Sequence, residues 1–447
     1  MPRYAIDINK TYQIPHDIRV VEYDDKSLVI APDTANWIVL NSSAQLDIFE
    51  YLHMGCSIKE TLAKPQVVMR DLNYVVTQVE AKRFCTKKIR SSVGGDRSMH
   101  LYLTNRCNLL CPHCYMFSGR ANENELTTEE ILKLISDYKE IANGKFITLS
   151  GGEPVTHPDF DLIVMSAAEI GLEVKVLTNG TLMSPERIER LAGYIYSVQI
   201  SIDGFSEESN SLIRGKGNFQ KALSAIDALV NLGVDTAVAI TPPYEVLKDH
   251  IEDYLVFAKE LSRKYKGKAL RIKFADELLQ GRQISPSRDF NKEYSKLIHK
   301  IQFQLYGIDS EVLSFVETLH NNSILDNCMF GHFAVASNGD VFYCSRIGDL
   351  SPIANVRTTT MNEIVSKALA AERASLISNL KPCNECELRY ICGGGCRIEE
   401  FPEFAKKKSF ENLDVDSIPA KQCSCETKEQ FYDLMIRSDK YFYSPLE

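Results

Sequence analysis

Three short stretches near the start of the chain alternate apolar and polar residues, which is the pattern of half-buried β-strands. They lie at residues 17–23, 26–31 and 36–40. The apolar spacing then changes to that of a helix capped at residues 41–43, and two further helices are expected to begin at Ser57 and Gln66. The pattern predicts a module of three strands and three helices over residues 1–85.

Residues 86–97 show no hydrophobic periodicity and are expected to form a solvated linker. Beyond them, six apolar strands alternate with amphipathic helices, as in parallel sheets with helical crossovers. The strands are predicted at residues 99–104, 146–150, 173–178, 197–202, 234–241 and 270–275. A capping box at residues 127–130 and a proline after Ser184 mark two helix starts. The pattern predicts an α/β fold built on an incomplete barrel, with ligands bound beyond the carboxyl ends of the strands.

The composition excludes several kinds of partner. Lys and Arg total 51 against 60 for Asp and Glu, so the 447-residue chain has a net charge of -9 and lacks the basic character of a nucleic-acid binder. No stretch reaches the roughly 18 consecutive apolar residues of a membrane helix. The first residues lack the apolar segment of a secretory signal, so we expect a cytoplasmic protein with no nucleic-acid and no membrane partner.

The 13 cysteines are clustered rather than scattered. We interpret Cys56 and Cys85, which stand alone, as small buried hydrophobic residues. In a reducing compartment the other cysteines are expected to bind metal rather than to form disulfides. They are Cys107, Cys111, Cys114, Cys328, Cys344, Cys383, Cys386, Cys392, Cys396, Cys423 and Cys425.

Three of these cysteines, Cys107, Cys111 and Cys114, lie in one loop directly after the first barrel strand. A four-iron cluster takes four ligands, so three thiolates would leave one iron open to a substrate or cofactor. The alternative is a zinc loop that takes a fourth ligand, for which His113 is the nearby candidate.

This loop resembles the three-cysteine motif of the radical S-adenosylmethionine (SAM) superfamily, which follows the first strand of a partial barrel. The segment after the second strand matches the Gly-Gly-Glu-Pro motif of that family, which lies against the methionine amino group of SAM. Glycine lets the backbone approach a ligand closely, and a carboxylate suits an ammonium partner. The resemblance implies cofactor contacts from Gly151, Gly152, Glu153 and Pro154.

Polar residues at the next strand ends extend the resemblance. Asn179 closes the third strand, and Ser201 and Asp203 end the fourth, where the family places polar groups against the ribose of SAM. Arg214 resembles the arginine that contacts the carboxylate of SAM, a role that suits its two-pronged donor geometry. The sequence departs from the family at His113, where an aromatic residue is common.

The cysteines near the end of the chain resemble the SPASM extension of some radical SAM enzymes, which holds two auxiliary four-iron clusters. The resemblance assigns Cys328, Cys344 and Cys396 to the first cluster. It assigns to the second Cys383, Cys386, Cys392 and one of Cys423 or Cys425. The first cluster then lacks an evident fourth ligand, which suggests an iron that is open to a substrate thiolate. Two zinc sites are the alternative, and in either case we expect this segment to be organised around metal rather than around a broad apolar core.

The first 85 residues resemble the peptide-recognition domain of ribosomal-peptide biosynthesis, which is related to the chaperone of pyrroloquinoline quinone synthesis. In that family a leader peptide adds as a strand to the sheet edge beside the third helix. We expect strand 36–40, with Trp37, and helix 66–82 to form the leader groove. The alternative is a winged-helix-like structural or dimerisation unit.

Together these resemblances imply a radical SAM peptide maturase similar to sactipeptide and ranthipeptide synthases, with SAM and three 4Fe-4S clusters as cofactors. Its 5'-deoxyadenosyl radical would install a crosslink in a ribosomally made precursor peptide, with a cysteine thioether as the leading product, and an external donor would supply electrons. Carbon–carbon or ether crosslinking, a sulfatase-type maturase and a zinc-dependent binding scaffold are the alternatives. No catalytic acid or base is identified.

The fold class is α/β: a partial (β/α)6 barrel of the TIM type between a winged-helix-like domain and an iron-sulfur SPASM domain. The predicted units are residues 1–85, 86–97, 98–310 and 311–447.

Overall fold

The computed structural model describes residues 7–87, 93–308, 311–313, 315–316, 324, 326–414 and 417–442. The first unit is the predicted module of three strands and three helices. Its antiparallel sheet has the order β1-β2-β3. The elements are β1 (Arg19–Tyr23), β2 (Lys26–Ala31), β3 (Asn36–Leu40), α1 (Ser43–His53), α2 (Ile58–Leu62) and α3 (Met69–Ala81). Helix α3 begins three residues after the predicted Gln66, because residues 64–67 form a hydrogen-bonded turn first.

Six parallel strands, β4 to β9, alternate with helices as predicted. The neighbouring pairs from β4–β5 to β8–β9 are all parallel. The strands are β4 (Arg97–Thr104), β5 (Gly144–Gly151), β6 (Glu173–Thr178), β7 (Ser197–Ile202), β8 (Asp235–Ile240) and β9 (Leu270–Phe274). Part of the predicted linker, residues 88–92, lies outside the described residues, and its last residue, Arg97, already belongs to β4.

Helices cover the outer face of this sheet. They are α4 (Thr128–Ile141), α5 (Phe160–Glu169), α6 (Pro185–Leu191), α7 (Glu207–Arg214), α8 (Asn218–Asn231), α9 (Tyr244–Asp249), α10 (Ile251–Lys264) and α11 (Arg288–Tyr306). Both predicted helix starts are confirmed: Thr127 and Glu130 form a capping box, and Pro185 opens α6 behind a Ser184 cap. Within the part of the chain described, no helix is long and apolar enough to cross a bilayer.

The region after α11 differs from the expectation of a segment without a broad apolar core. Three short strands extend the barrel sheet, giving the order β12-β11-β10-β4-β5-β6-β7-β8-β9. The remaining elements are β10 (Ala334–Val335), β11 (Asp340–Phe342), β12 (Ala354–Asn355), α12 (Met361–Ala374), α13 (Arg389–Cys392), α14 (Arg397–Glu400), α15 (Pro402–Lys406) and α16 (Cys425–Ser438). Apolar side chains such as Phe330, Ile364 and Phe404 are buried in the same core as the barrel. The expectation was therefore wrong, because packing against the barrel supplies an apolar core.

The N-terminal sheet is buried on both faces. Val29 and Ile38 pack into the module's own core, whereas Leu28 and Trp37 belong to the main core. Arg389 also pairs with both Asp17 and Asp33 of the module, at 3.0 and 2.8 Å. These contacts fix the module against the cysteine-rich region. The description of the module as winged-helix-like stays a prediction.

Candidate active site and cysteine clusters

The loop after β4, residues 105–119, carries Cys107, Cys111 and Cys114. Backbone hydrogen bonds tie its two ends together, since Cys107 N donates to Gly119 O and Gly119 N donates to Asn105 O, both at 3.0 Å. Glu125 fixes the start of the loop by accepting from Thr104 Oγ1 at 2.7 Å and from Asn105 N at 2.6 Å. The loop is thus held at the carboxyl end of the sheet.

The three thiols are free and lie close enough to influence one another. Burial, together with the nearby Glu153, Cys111 and Cys114, raises the pKa of Cys107 to about 11, against an opposing hydrogen bond from Leu109 N. Burial likewise raises the pKa of Cys111, while the charge of Arg214 opposes the shift. Such thiols become thiolates only when a cation binds, so metal binding here releases protons.

The two glycines after β5 allow the backbone to approach this loop. Gly151 has a φ of +137°, a conformation that other residues rarely adopt, and a Cβ on Gly152 would stand 2.5 Å from Arg106 O. Gly152 N donates to Thr104 O and Glu153 N to Arg106 O, both at 2.8 Å. These glycines therefore pack against the cysteine loop itself.

Glu153 is fully buried at the same edge. Its carboxylate accepts hydrogen bonds from Asn179 N at 2.7 Å, Thr178 Oγ1 at 2.6 Å and Val155 N at 3.2 Å. Burial raises the pKa of Glu153, and these donors oppose the shift. The Asn179 side chain in turn donates to Asn108 Oδ1 of the cysteine loop at 2.9 Å. Glu153 and Asn179 thus connect the second and third strand ends to the loop.

Asp203 and Arg214 form a buried ion pair beside Cys111. Arg214 Nε lies 2.7 Å from Asp203 Oδ2, and Nη2 donates to Oδ1 at 3.2 Å. His113 Nε2 is 3.6 Å from the same Asp203 Oδ2. Arg214 thereby places a positive charge next to the thiol group, where thiolates would need one. Ser201 lies two residues before Asp203, within β7.

Residues 281–283 cover the other side of the cysteine loop. A Cβ on Gly281 would stand 2.5 Å from the carbonyl carbon of His113, and Gln283 N donates to Pro112 O at 2.8 Å. A cavity of about 520 Å³ opens beside this contact, lined by residues that include Pro112, His113, Thr241 and Phe290. This volume suits a small organic molecule.

Polar side chains on β4 connect this region to the C-terminal domain. His100 stacks on Tyr102 with ring centroids 4.4 Å apart, and its Nε2 is hydrogen-bonded to Ser150 Oγ. Burial lowers the pKa of His100 to about 4, so the imidazole is neutral near pH 7. The Tyr102 hydroxyl donates to Ser345 O, next to Cys344, and interacts with Tyr115, next to Cys114. These aromatic groups span the distance between two of the cysteine groups.

Four cysteines near the end of the chain surround a cavity of about 210 Å³. They are Cys383, Cys386, Cys392 and Cys423. Cys425, the other predicted candidate, is exposed at the first residue of α16 and does not line this cavity. Lys421 also lines the cavity and pairs with Glu400 at 2.9 Å. Of the two cysteines left open by the sequence, Cys423 is therefore the one next to the other three.

The remaining predicted set, Cys328, Cys344 and Cys396, is also brought together. Burial raises the pKa of Cys344, and the nearby thiols of Cys328 and Cys396 add to the shift. Arg346 Nη1 donates to Cys396 Sγ at 3.8 Å. The fully buried Arg397 binds the carbonyls of Gly393 and Gly395, at 2.9 and 2.6 Å, between the two cysteine sets.

Soft thiolate donors in groups of three and four suit iron-sulfur clusters. Within the described ranges, no three His, Cys, Asp or Glu side chains converge closely enough to hold a single metal ion. The four thiols instead surround a cavity, and the donor set fits a cluster of several irons.

Several residues that organise the site carry no sequence signal that we recognised. Glu125 and Gln283 hold the cysteine loop from two other segments, and Asn108 within the loop accepts the hydrogen bond from Asn179. Polar residues of these types are common in loops, and only their distances to the loop identify them. His100 and Tyr102 are two residues apart and therefore lie on the same face of β4, which could have been predicted from the sequence.

Two family models match the chain. The Radical SAM superfamily model matches residues 101–258, and a model of an iron-sulfur cluster-binding domain, SPASM, matches residues 327–387. The first match covers β4 to β8 with the cysteine loop, and the second covers Cys328, Cys344, Cys383 and Cys386. These domains indicate SAM and 4Fe-4S clusters as cofactors.

Among curated proteins, the mycofactocin maturase MftC of Mycolicibacterium smegmatis is 35% identical over 172 residues, which are 38% of this chain and 42% of MftC. The sporulation killing factor maturation protein SkfB of Bacillus subtilis is 29% identical over 301 residues, which are 65% of this chain and 70% of SkfB. The chain thus spans less than half the length of MftC.

Among solved structures, native anSMEcpe with bound AdoMet aligns with a TM-score of 0.57 and 20% identity, over 77% of this chain and 99% of that chain. This likeness concerns the fold. The chain therefore carries a Radical SAM domain and a SPASM iron-sulfur cluster-binding domain, and together with the maturase relatives these domains indicate a radical SAM enzyme.

Proposed function

We propose that this enzyme installs a crosslink, foremost a cysteine thioether, in a ribosomally made precursor peptide. The observation that carries the proposal is the arrangement of the cysteines: three lie in one clamped loop at the sheet edge, and seven more lie in two adjoining sets. A three-residue set leaves one iron of a four-iron cluster open, which is the position that a cofactor needs. The peptide specificity is supported by the names of MftC and SkfB, both described as maturation proteins.

The cysteine loop would hold the first cluster through Cys107, Cys111 and Cys114. Bound SAM would supply the difficult one-electron chemistry, with the electron coming from an external donor. The chain positions the cofactor and excludes water from it. The candidate contacts are Gly151, Gly152, Glu153, Pro154, Asn179, Ser201, Asp203 and Arg214.

The position of Arg214 beside the cysteine loop supports the assignment. Three thiolates bring negative charge into a partly buried loop, and such charge is costly without a cation. Arg214 supplies a cation next to Cys111, while Asp203 holds its guanidinium in place at 2.7 Å. The Glu153 carboxylate accepts hydrogen bonds from Thr178 Oγ1 and Asn179 N, and it would accept a further one from a ligand at the strand edge.

Two auxiliary clusters would complete a set of three 4Fe-4S clusters. Cys383, Cys386, Cys392 and Cys423 would ligate one of them, supported by the cavity that these four line. Cys328, Cys344 and Cys396 would ligate the other, which has no cysteine for its fourth position. An open iron there would accept a substrate thiolate. The adjacent Arg346 guanidinium, 3.8 Å from Cys396 Sγ, is held by Asp349 and Glu399.

The module of residues 1–85 would bind the leader of the precursor peptide by adding a strand to β3. Its position against the main core, through Trp37 and Leu28, keeps the docked peptide close to the barrel. A bound leader raises the local concentration of the attached core peptide, so that a core sequence with low affinity of its own can be modified. We place the enzyme in the cytoplasm, where thiols stay reduced.

Carbon–carbon or ether crosslinking would use the same residues, so only the chemical structure of the product distinguishes these reactions from thioether formation. A sulfatase-type maturase is disfavoured by the N-terminal module, and a zinc-dependent scaffold by the cavity between the four thiols. Anaerobic metal analysis tests the scaffold directly, because zinc without iron or sulfide would favour it.

The test of the proposed function is co-production of the full chain with each short cysteine-bearing peptide that is encoded beside it. A thioether would form with loss of two hydrogens, and the cysteine would then resist alkylation. The hydrogen atom of the carbon would pass to the deoxyadenosyl radical, the proton of the thiol to solvent and the remaining electron to an auxiliary cluster. Mass spectrometry is expected to show both changes with the intact enzyme and neither with a Cys107→Ala, Cys111→Ala, Cys114→Ala variant. An alkylatable cysteine and an unchanged peptide mass, in the presence of SAM cleavage, would contradict it.

A further inference from the structure

The outer edge of β3 is closed by side chains from α3. The backbone N–H of Val39 donates to Gln78 Oε1 at 3.3 Å, and the Val39 carbonyl accepts from the Tyr74 hydroxyl at 3.2 Å. Two side chains therefore satisfy the backbone groups that a fourth strand would use. We call the space between β3 and α3 the edge groove.

The edge groove already holds a carboxylate from the far end of the chain. Asp439, which follows α16, accepts from Gln78 Nε2 at 3.1 and 3.2 Å, and it pairs with Lys82. The Lys82 side chain is only 2% exposed, and its ammonium lies 3.5 Å from the centre of the Trp37 ring. A buried cation of this kind is costly without an anion, so the carboxylate of Asp439 stabilises Lys82 in its charged form.

A cavity of about 460 Å³ adjoins Asp439. Its lining contains Val39 of β3, the carboxylate Asp439 and three cationic side chains, Lys26, Lys440 and Arg437. Arg437 also pairs with Asp433 and Glu311, so Lys26 and Lys440 carry most of the positive charge of the lining. This positive lining contrasts with the net charge of -9 for the whole chain. The region is therefore complementary to an acidic partner rather than to a basic one.

We infer that the edge groove binds an extended, acidic peptide segment whose carboxylate takes the place of Asp439 on Lys82 and Gln78. Asp439 is then an internal occupant that keeps Lys82 paired until a peptide arrives. The Gln78 and Tyr74 side chains release Val39 when the peptide backbone pairs with it. This inference rests on the proposed role of the N-terminal module and adds the chemistry of the segment that the module recognises.

Trp37 reports directly on the groove, because it is the one tryptophan in the sequence. In the full chain, Asp439→Asn is expected to raise the acrylamide quenching of Trp37 about twofold, since the amide no longer pairs with Lys82. The matched control is Asp96→Asn, which removes an exposed carboxylate that pairs with Lys145 at 2.7 Å and does not line this cavity. Quenching that is the same in both variants would overturn the inference.

The second arm uses an array of 12-residue peptides of randomised sequence as the probe. The Asp439→Asn chain is expected to retain peptides with Asp or Glu about tenfold more than their amide counterparts, and more than the wild-type chain does. Lys82→Met in the same background should abolish that preference. If Trp37 becomes exposed but acidic peptides gain no advantage, the acidic assignment is wrong, while crosslinking of a precursor remains a separate measurement.

Discussion

Arg214 Nε lies 2.7 Å from Asp203 Oδ2, and this buried pair stands beside Cys111 at the carboxyl edge of the sheet. The pair belongs to two segments, since Asp203 follows β7 and Arg214 ends α7. It therefore joins a strand end to a helix end below the cysteine loop. The arrangement suggests that the charges at the site support one another before any cofactor binds.

Replacing Arg214 by glutamine should destabilise the protein, because it leaves the Asp203 carboxylate buried without its cation. The expected loss is about 3–5 kcal/mol in the free energy of unfolding, measured by urea denaturation of the metal-free chain. The control is Arg271→Gln, which breaks an exposed pair with Asp235 at 2.6 Å and should cost less than about 1 kcal/mol. Equal losses in the two variants would show that the Arg214 pair is not the support we describe.

Replacing Gly152 by alanine should disturb the cysteine loop, because the new Cβ would stand 2.5 Å from Arg106 O. We expect a loss of about 1–3 kcal/mol in stability and a lower iron content after anaerobic reconstitution. The matched control is Gly193→Ala, since nothing lies within 4 Å of a Cβ there. Iron loading that is the same in both variants would argue against the close approach of the two loops.

Replacing Cys423 by serine should remove about one cluster, or about four irons per chain, because Cys423 lines the four-thiol cavity. Replacing Cys425 by serine should leave the iron content unchanged, because Cys425 is exposed at the start of α16. Iron and sulfide analysis of both reconstituted variants decides between them. A loss on replacing Cys425 alone would reverse the assignment.

The stability of the metal-free chain should depend on His100 below pH 6.5. Burial lowers the pKa of this imidazole to about 4 in the folded state, against 6.5 in the unfolded chain. The unfolded state therefore binds a proton that the folded state refuses, and stability falls as the pH drops from 6.5 towards 4.

At pH 5 the contribution amounts to about 2 kcal/mol. Urea denaturation at pH 7 and pH 5 should therefore show a loss that is about 2 kcal/mol larger for the wild type than for His100→Gln. The same pH dependence in both proteins would mean that folding does not lower the pKa of His100.

The barrel could be predicted closely from the sequence because its strands are long, apolar and regularly spaced. The predicted strand at residues 173–178 matches Glu173–Thr178, and the capping box at Thr127 and Glu130 marks the start of α4. Strands β10 and β12 could not be predicted, because two residues have no periodicity. They form through their neighbours in the sheet, since β10 pairs with β4 and β12 pairs with β11.

The cysteine sets could be predicted from the spacing of the cysteines in the sequence, whereas the residues that surround them could not. Glycines at 151 and 152 were expected to let a ligand approach, and the structure shows them against Thr104 and Arg106 of the cysteine loop. Arg214 and Asp203 were expected to face a cofactor separately, and they also bind each other. Such pairings depend on three-dimensional distances between residues that sequence spacing does not encode.

We propose that Cys107, Cys111 and Cys114 hold a cluster whose open iron binds SAM. The most direct measurement is electron paramagnetic resonance of the anaerobically reconstituted, reduced protein with and without SAM, together with chromatography for 5'-deoxyadenosine. We predict that SAM changes the cluster signal and that deoxyadenosine forms, and that both effects vanish when the three cysteines are replaced by alanine. A cluster signal that SAM leaves unchanged, with no deoxyadenosine under reduction, would contradict the account.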